Sequence, residues 1–120
     1  MKNTFVRLEA NPAAGMVPSD LVPAEAFTTD DHTETINSHF ETEDESILVG
    51  VWECAPCREV IDAYPVHEMM TVLSGSVTLT NPEDGTSETF SAGDTFFIPK
   101  GAPCIWEITE KLRKFYMIAS

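Results

Sequence analysis

Asp62, Tyr64 and Glu68 are closely spaced polar residues whose side chains could do chemistry together. Asp62 and Tyr64 are two residues apart, so on one strand their side chains point to the same face. If Glu68 also faces inward, two carboxyl groups and a phenol converge. Carboxylates bind hard or borderline cations. Without a metal, two crowded carboxyls repel each other, so one keeps its proton and can act as a general acid or base. The third alternative is that these groups form a buried network and only satisfy one another's hydrogen bonds.

Four further residues are candidates for contact with a ligand. Lys114 and Tyr116 share one face of a strand, opposite their odd-numbered neighbours, and one of the two faces must meet the interior. Trp52 and Trp106 offer flat apolar walls suited to a small organic ligand, although a buried tryptophan is more often part of the core. Lys114 and Tyr116 could orient a polar ligand by charge and hydrogen bonds, or lie at the surface.

The residues that would position these groups form short strand-like runs from Ser46 onward. Turn signals recur about every 8–12 residues without a helical stripe, which is typical of a β-sandwich or β-barrel. The segment Asn81-Pro82-Glu83-Asp84-Gly85 is a strong turn signal. We predict an all-β domain over residues 46–120, with strands at 47–54, 59–64, 69–73, 76–80, 87–90, 95–98, 104–108 and 113–118.

Residues 1–45 differ from the rest of the chain. They contain Pro12, Pro18 and Pro23, many acidic residues and little sustained periodicity. We predict an extended, partly irregular N-terminal arm that wraps either the core or a partner subunit.

Charge and cysteine content limit the partners and the compartment. The formal net charge is −13 at pH 7, which repels phosphate backbones and anionic lipid, so we expect neither nucleic acid nor a membrane as a partner. The first residues carry no apolar run long enough for a signal peptide. Three cysteines, an odd number, do not suggest a disulfide framework. We therefore expect a cytoplasmic protein with reduced thiols, in which the pair Cys54 and Cys57 is by itself a weak signal.

Two motifs in the predicted barrel resemble those of the cupin superfamily. Glu68 to Gly75 matches the glutamate-to-glycine spacing of the first cupin motif, and Gly93, Pro99 and Gly101 match the second. The surrounding residues 46–118 are similar to the small cupins related to ureidoglycine aminohydrolase and the ethanolamine-utilisation cupin. The resemblance implies a double-stranded β-helix, or jelly-roll barrel, with one site in its interior. It also implies a homodimer, in which pairing covers strand edges.

The resemblance implies metal ligands at four positions, and three of them depart from the cupin pattern. The histidines of the first motif fall on Asp62 and Tyr64, the histidine of the second falls on Cys104, and only the glutamate, Glu68, is retained. An Asp, Glu and Cys set could hold zinc, whereas the manganese, iron or nickel of other cupins is put in doubt. These residues are consistent with one bound divalent ion and also with none.

The function predicted from the sequence is binding of a small polar metabolite inside the barrel, either with or without its transformation. In the catalytic version Glu68, Asp62 and Tyr64 carry the reaction, assisted by Cys104, and Trp52, Trp106, Lys114 and Tyr116 hold the ligand. The alternative is a non-catalytic binding or sensing module that has lost the metal. The residues leave open whether the protein is an enzyme.

Overall fold

The computed structural model describes residues 4–120 and is built almost entirely from antiparallel strands. The only helical element in that range is a 3-10 turn at Ala24–Ala26. The eight strands, numbered in chain order, are β1 Val17–Pro18, β2 Glu34–Glu41, β3 Ile47–Cys54, β4 Cys57–Ile61, β5 His67–Thr80, β6 Ser87–Ser91, β7 Thr95–Ile98 and β8 Cys104–Ala119.

Two long strands, β5 and β8, organise the sheet and pair with each other along most of their length. On its other edge β8 pairs first with β4 and then with β3, while β5 pairs with β7 and then with β6. This doubled antiparallel arrangement confirms the predicted jelly roll. Alternate residues of each strand point inward, and they form a core that includes Met70, Val72, Ile108 and Leu112.

The prediction that 69–73 and 76–80, and likewise 104–108 and 113–118, are separate strands is wrong, because each pair is one continuous strand. Ser74 and Gly75 are not an inter-strand turn but a bulge at which the β5–β8 register shifts. Gly75 has a positive φ of 77°, and a Cβ there would collide with the backbone carbonyl of Lys111. A glycine is therefore required for the strands to bend and stay paired.

The N-terminal segment packs across the outer face of the sheet. The backbone N–H of Glu9 donates to His39, Asn37 donates to the carbonyl of Gly15, and Arg113 donates to the carbonyl of Ala10. Val51 faces outward from β3 and is nevertheless completely buried. From β2 onward the predicted arm belongs to the sheet itself, because β2 pairs with β3 over nearly its whole length.

A cross-strand row of apolar side chains lies on the outer face. Phe97, Met69 and Met117 are exposed neighbours on β7, β5 and β8, and the row continues to Val49 on β3 and Phe40 on β2. The homodimer stays a prediction, for which this row is one candidate surface. Within residues 4–120 no helix has the length and apolar character needed to span a membrane.

Candidate functional site

A cavity of about 620 Å³ opens into the barrel between the arm, β4 and the inner faces of β3, β5 and β8. Its volume lies in the range of pockets that hold small organic ligands. The walls are mostly apolar, with a few polar groups that converge on one side. The lining includes Leu21 and Val22 from the arm, together with Trp52, Glu59, Ala63, Tyr64, Glu68, Trp106, Lys114 and Tyr116.

Glu68 is the centre of the polar side of this cavity. One of its carboxylate oxygens, Oε1, accepts a hydrogen bond of 2.7 Å from the Tyr64 hydroxyl. The other, Oε2, lies 2.9 Å from the Lys114 ammonium. All three side chains are buried, so the ion pair is little screened by water. Each oxygen of Glu68 thus already has one partner from the chain itself.

The Lys114 ammonium is held by aromatic rings as well as by Glu68. It lies 4.7 Å from the ring centre of Trp52 and 4.8 Å from that of Trp106, distances at which the ring faces attract a cation. It also donates to the sulfur of Met70 at 2.9 Å. The two indole rings are 6.4 Å apart in an edge-to-face arrangement, so they form one aromatic wall with the cation between them.

The two tyrosines of the cavity remain protonated phenols. Burial raises the pKa of Tyr64 far above its ordinary value, and the negative charge of Glu68 raises it further. Burial and the charge of Glu68 raise the pKa of Tyr116 to about 12. Tyr116 lies opposite Gly50, where a Cβ would come within 2.6 Å of the Tyr116 hydroxyl. The glycine thus makes room for this ring inside the barrel.

The structure brings together six of the eight predicted site residues and leaves two outside. Trp52, Trp106, Lys114, Tyr116, Tyr64 and Glu68 all line the cavity. Of the two faces of their strand, Lys114 and Tyr116 occupy the inward one.

Asp62 and Cys104 require a correction. The prediction that Asp62 and Tyr64 share a strand face is wrong, because β4 ends at Ile61 and both lie in the following bend. Asp62 is exposed there, whereas the chain turns Tyr64 inward. Cys104 is buried but does not line the cavity; it borders a second depression of about 430 Å³. Burial raises the pKa of its thiol, which therefore stays protonated.

These positions do not fit the divalent ion that the cupin resemblance implies. The predicted ligands Glu68, Asp62, Tyr64 and Cys104 are not assembled around one point. Throughout residues 4–120 there is no group of three or more His, Cys, Asp or Glu side chains able to hold a metal ion. The retained glutamate, Glu68, instead pairs with the Lys114 ammonium. The donors thus match neither a zinc site nor the harder cations.

Glu34 anchors the arm against the barrel and was missed by the sequence analysis. Its Oε2 accepts from the Ser19 hydroxyl, the backbone N–H of Leu21 and the indole N–H of Trp52, and its Oε1 accepts from the backbone N–H of Val22. Leu21 and Val22 are thereby fixed as part of the cavity wall. No local sequence signal points to Glu34, because its donors come from two distant segments.

Glu59 is the second carboxyl that the sequence analysis missed. It lies on β4 between Cys57 and Ile61, with its side chain half-buried in the cavity wall. Burial raises its pKa, and the negative charge of Glu34 adds to the effect. The sequence pattern pointed away from it, because alternation across the predicted strand 59–64 places Glu59 on the face opposite Asp62 and Tyr64, the two residues predicted to face inward.

Cys54 and Cys57 are free thiols that pack in the core and are completely buried. The hydrogen bond between them raises the pKa of Cys54 and lowers that of Cys57. Neither thiol lines the cavity.

Comparison with known proteins identifies the family. Residues 41–116 match the family model described as the EutQ-like cupin domain. The chain belongs to this family of cupins. The match confirms the predicted superfamily and its relation to the ethanolamine-utilisation cupin. No curated protein matches the chain.

Solved structures give the same result. A protein of unknown function of the DUF861 family from Pseudomonas syringae pv. tomato is 31% identical, with a TM-score of 0.80; the match covers 93% of this chain and 46% of that one. The present chain thus spans about half of that protein. A DUF861 protein from Thermotoga maritima is 33% identical over 55% of this chain and 73% of its own, with a TM-score of 0.50.

A putative ethanolamine utilization protein Q from Salmonella typhimurium shares the fold. It is 22% identical, with a TM-score of 0.55, and the match covers 75% of this chain and 72% of that one.

Proposed function

We propose that this cupin binds one small organic molecule in the cavity beside Trp52 and Trp106, and that it does so without a metal ion. The observation that carries the proposal is the Lys114 ammonium held between the two indole rings and Glu68. This cluster occupies the polar side of the cavity with groups of the chain. What it leaves free for a ligand is an apolar space bordered by aromatic rings and hydroxyl groups.

The same cluster favours binding over a reaction centred on Glu68. A general acid or base must have an oxygen within reach of the substrate, and each oxygen of Glu68 already has a partner, Tyr64 or Lys114, with which a substrate would have to share it. Tyr64, with its strongly raised pKa, does not supply a phenolate base. Asp62, the third predicted catalytic residue, lies outside the cavity. These groups support a role in shaping the pocket.

The test is to fill the cavity from its rim. Ala63 lines the cavity from the exposed bend after β4, so Ala63→Trp places an indole over the opening without entering the core. We expect small aromatic fragments to bind the wild-type chain saturably in ligand-observed NMR, and Ala63→Trp to reduce that binding at least about tenfold because the space is occupied.

Ala92→Trp is the matched control. Ala92 is exposed in the turn between β6 and β7 and does not line the cavity, so this variant should bind fragments like the wild type. Circular dichroism verifies that both variants keep the fold. Equal fragment binding by Ala63→Trp and wild type, or no saturable binding by the wild type, would overturn the proposal.

A further inference from the structure

Glu59 is a polar group in the cavity for which the fold itself provides no partner. It accepts no hydrogen bond and forms no ion pair with any residue between 4 and 120. Its oxygens are open to the cavity, since among the described residues no side-chain oxygen is both fully buried and without a hydrogen-bond partner, so the donor that the chain does not provide comes either from water or from a ligand. Such a group gains a partner when a ligand supplies one.

The charges around Glu59 decide which ligand would do so. Glu34 on β2 and Glu68 on β5 are both carboxyls, and Cys57, Tyr64 and Cys104 are neutral when protonated. Among the described residues that line the cavity, Lys114 is the only cation.

Lys114 is not available to Glu59. Its ammonium is engaged by Glu68, by the sulfur of Met70 and by both indole rings. Two carboxyls, Glu59 and Glu68, line the cavity with this one ammonium, and the negative charge of Glu34 also acts on Glu59, so the cavity has an excess of negative charge on the side of Glu59. An anionic ligand would add to that excess, whereas a cation would offset it.

We propose that Glu59 selects a small organic cation, namely a protonated primary or secondary amine attached to an apolar or aromatic body. The ammonium donates a charge-assisted hydrogen bond to the Glu59 carboxylate. The body occupies the apolar space beside Trp106, which is the cross-strand neighbour of Glu59 on β8. The raised pKa of free Glu59 falls when the ammonium binds, because the opposite charge favours the ionised carboxylate. This inference rests on the proposed function, since it assigns a ligand class to the same cavity.

The experiment compares three probes with one ring and different charges: benzylamine, benzyl alcohol and benzoate. Dissociation constants are measured by NMR titration of the wild type, Glu59→Gln and Glu43→Gln. Glutamine keeps the shape of the side chain but removes the charge. Glu43 is exposed in the turn between β2 and β3 and does not line the cavity, so Glu43→Gln makes the same change in net charge elsewhere.

We expect the wild type to prefer benzylamine over benzyl alcohol by about tenfold, the typical strength of one hydrogen bond to a charged group. Glu59→Gln should abolish this preference and leave the affinity for benzyl alcohol unchanged, while Glu43→Gln should behave like the wild type. A preference for benzylamine that survives in Glu59→Gln overturns the inference. So does a wild type that binds the alcohol or benzoate at least as well as the amine.

The failures of the two proposals are distinguishable. If benzyl alcohol binds but benzylamine gains nothing, only the role of Glu59 is refuted. If none of the three probes binds the cavity, the small-molecule function is refuted as well, and Glu59 with it.

Discussion

Glu34 and Glu59 are two carboxyls beside the same cavity with opposite surroundings. Glu34 accepts four hydrogen bonds from the arm and from Trp52, whereas Glu59 accepts none within residues 4–120. Burial accompanies this difference, since Glu34 is buried and Glu59 is only half-buried in the cavity wall. The region around Glu34 is therefore complete in the folded chain, while Glu59 is left free to accept a hydrogen bond from a ligand, as we propose.

Glu68 lies between these extremes. It has two partners, and one of them is a buried ammonium. A structural carboxyl accepts several hydrogen bonds from the chain, whereas a ligand-facing carboxyl accepts few or none. The loss in unfolding free energy on removing each carboxyl should therefore increase with the number of hydrogen bonds that it accepts. Substitutions of Glu34, of Lys114 as the partner of Glu68, and of Glu59 test that order.

Removal of Glu34 should have the largest effect on stability. Glu34→Ala leaves two backbone N–H groups, a hydroxyl and an indole N–H without their acceptor, and we expect the free energy of unfolding to fall by about 4–5 kcal/mol. Urea denaturation measures the change. Should the variant not fold, Glu34→Gln retains one acceptor oxygen and should show a smaller loss. A loss below about 1 kcal/mol for the alanine variant would show that the arm is not anchored here.

Removal of Lys114 should have the second-largest effect. Lys114→Met keeps the length of the side chain but leaves Glu68 buried without its counter-charge, at an expected cost of about 3 kcal/mol in unfolding free energy. The double variant Lys114→Met with Glu68→Gln should recover part of that loss, because no uncompensated charge remains. A double variant less stable than Lys114→Met would contradict the pairing of these two groups.

Replacement of Glu59 should have the smallest effect, and its sign should depend on pH. At neutral pH Glu59→Gln is expected to stay within about 1 kcal/mol of the wild type, since no hydrogen bond is lost. Because the folded pKa of Glu59 is raised, the folded state binds its proton more tightly than the unfolded chain does. This contribution to wild-type stability is present below the unfolded pKa and is lost as pH rises through the folded pKa.

Urea denaturation of both proteins at several pH values checks this prediction. Glu59→Gln should become more stable relative to the wild type as pH rises from about 4.5. A relative stability that falls over that range would mean that Glu59 has a partner in the folded chain.

The sequence was sufficient for the fold because the fold depends on features that are local. Turn residues and strand alternation indicated an all-β chain, and the spacing from Glu68 to Gly75 indicated a cupin. The same local patterns wrongly predicted that the chain turns at Gly75 between two separate strands. Its bulge exists only because β5 runs against the carbonyl of Lys111, a contact that strand patterns do not encode.

The site was predictable to the extent that alternation continued. It put Lys114 and Tyr116 together on one face of their strand, which lies inside the barrel. It could not have found Glu59, because alternation across the predicted strand 59–64 puts that residue on the face opposite Asp62 and Tyr64. It failed at Asp62, because β4 ends one residue earlier. Side chains alternate between two faces only within a strand, and not in the bend that follows. Glu34 was out of reach, since what defines it is the meeting of the arm with Trp52.

The two tryptophans provide the most direct measurement of ligand binding in the cavity. The chain contains two Trp residues, both in the cavity wall, so an NMR spectrum of the indole N–H groups has two assignable signals. Titration with benzylamine should shift both signals saturably, with one dissociation constant, and Glu59→Gln should weaken that constant by about tenfold. Indole signals that stay fixed while surface amides respond would contradict binding in this cavity.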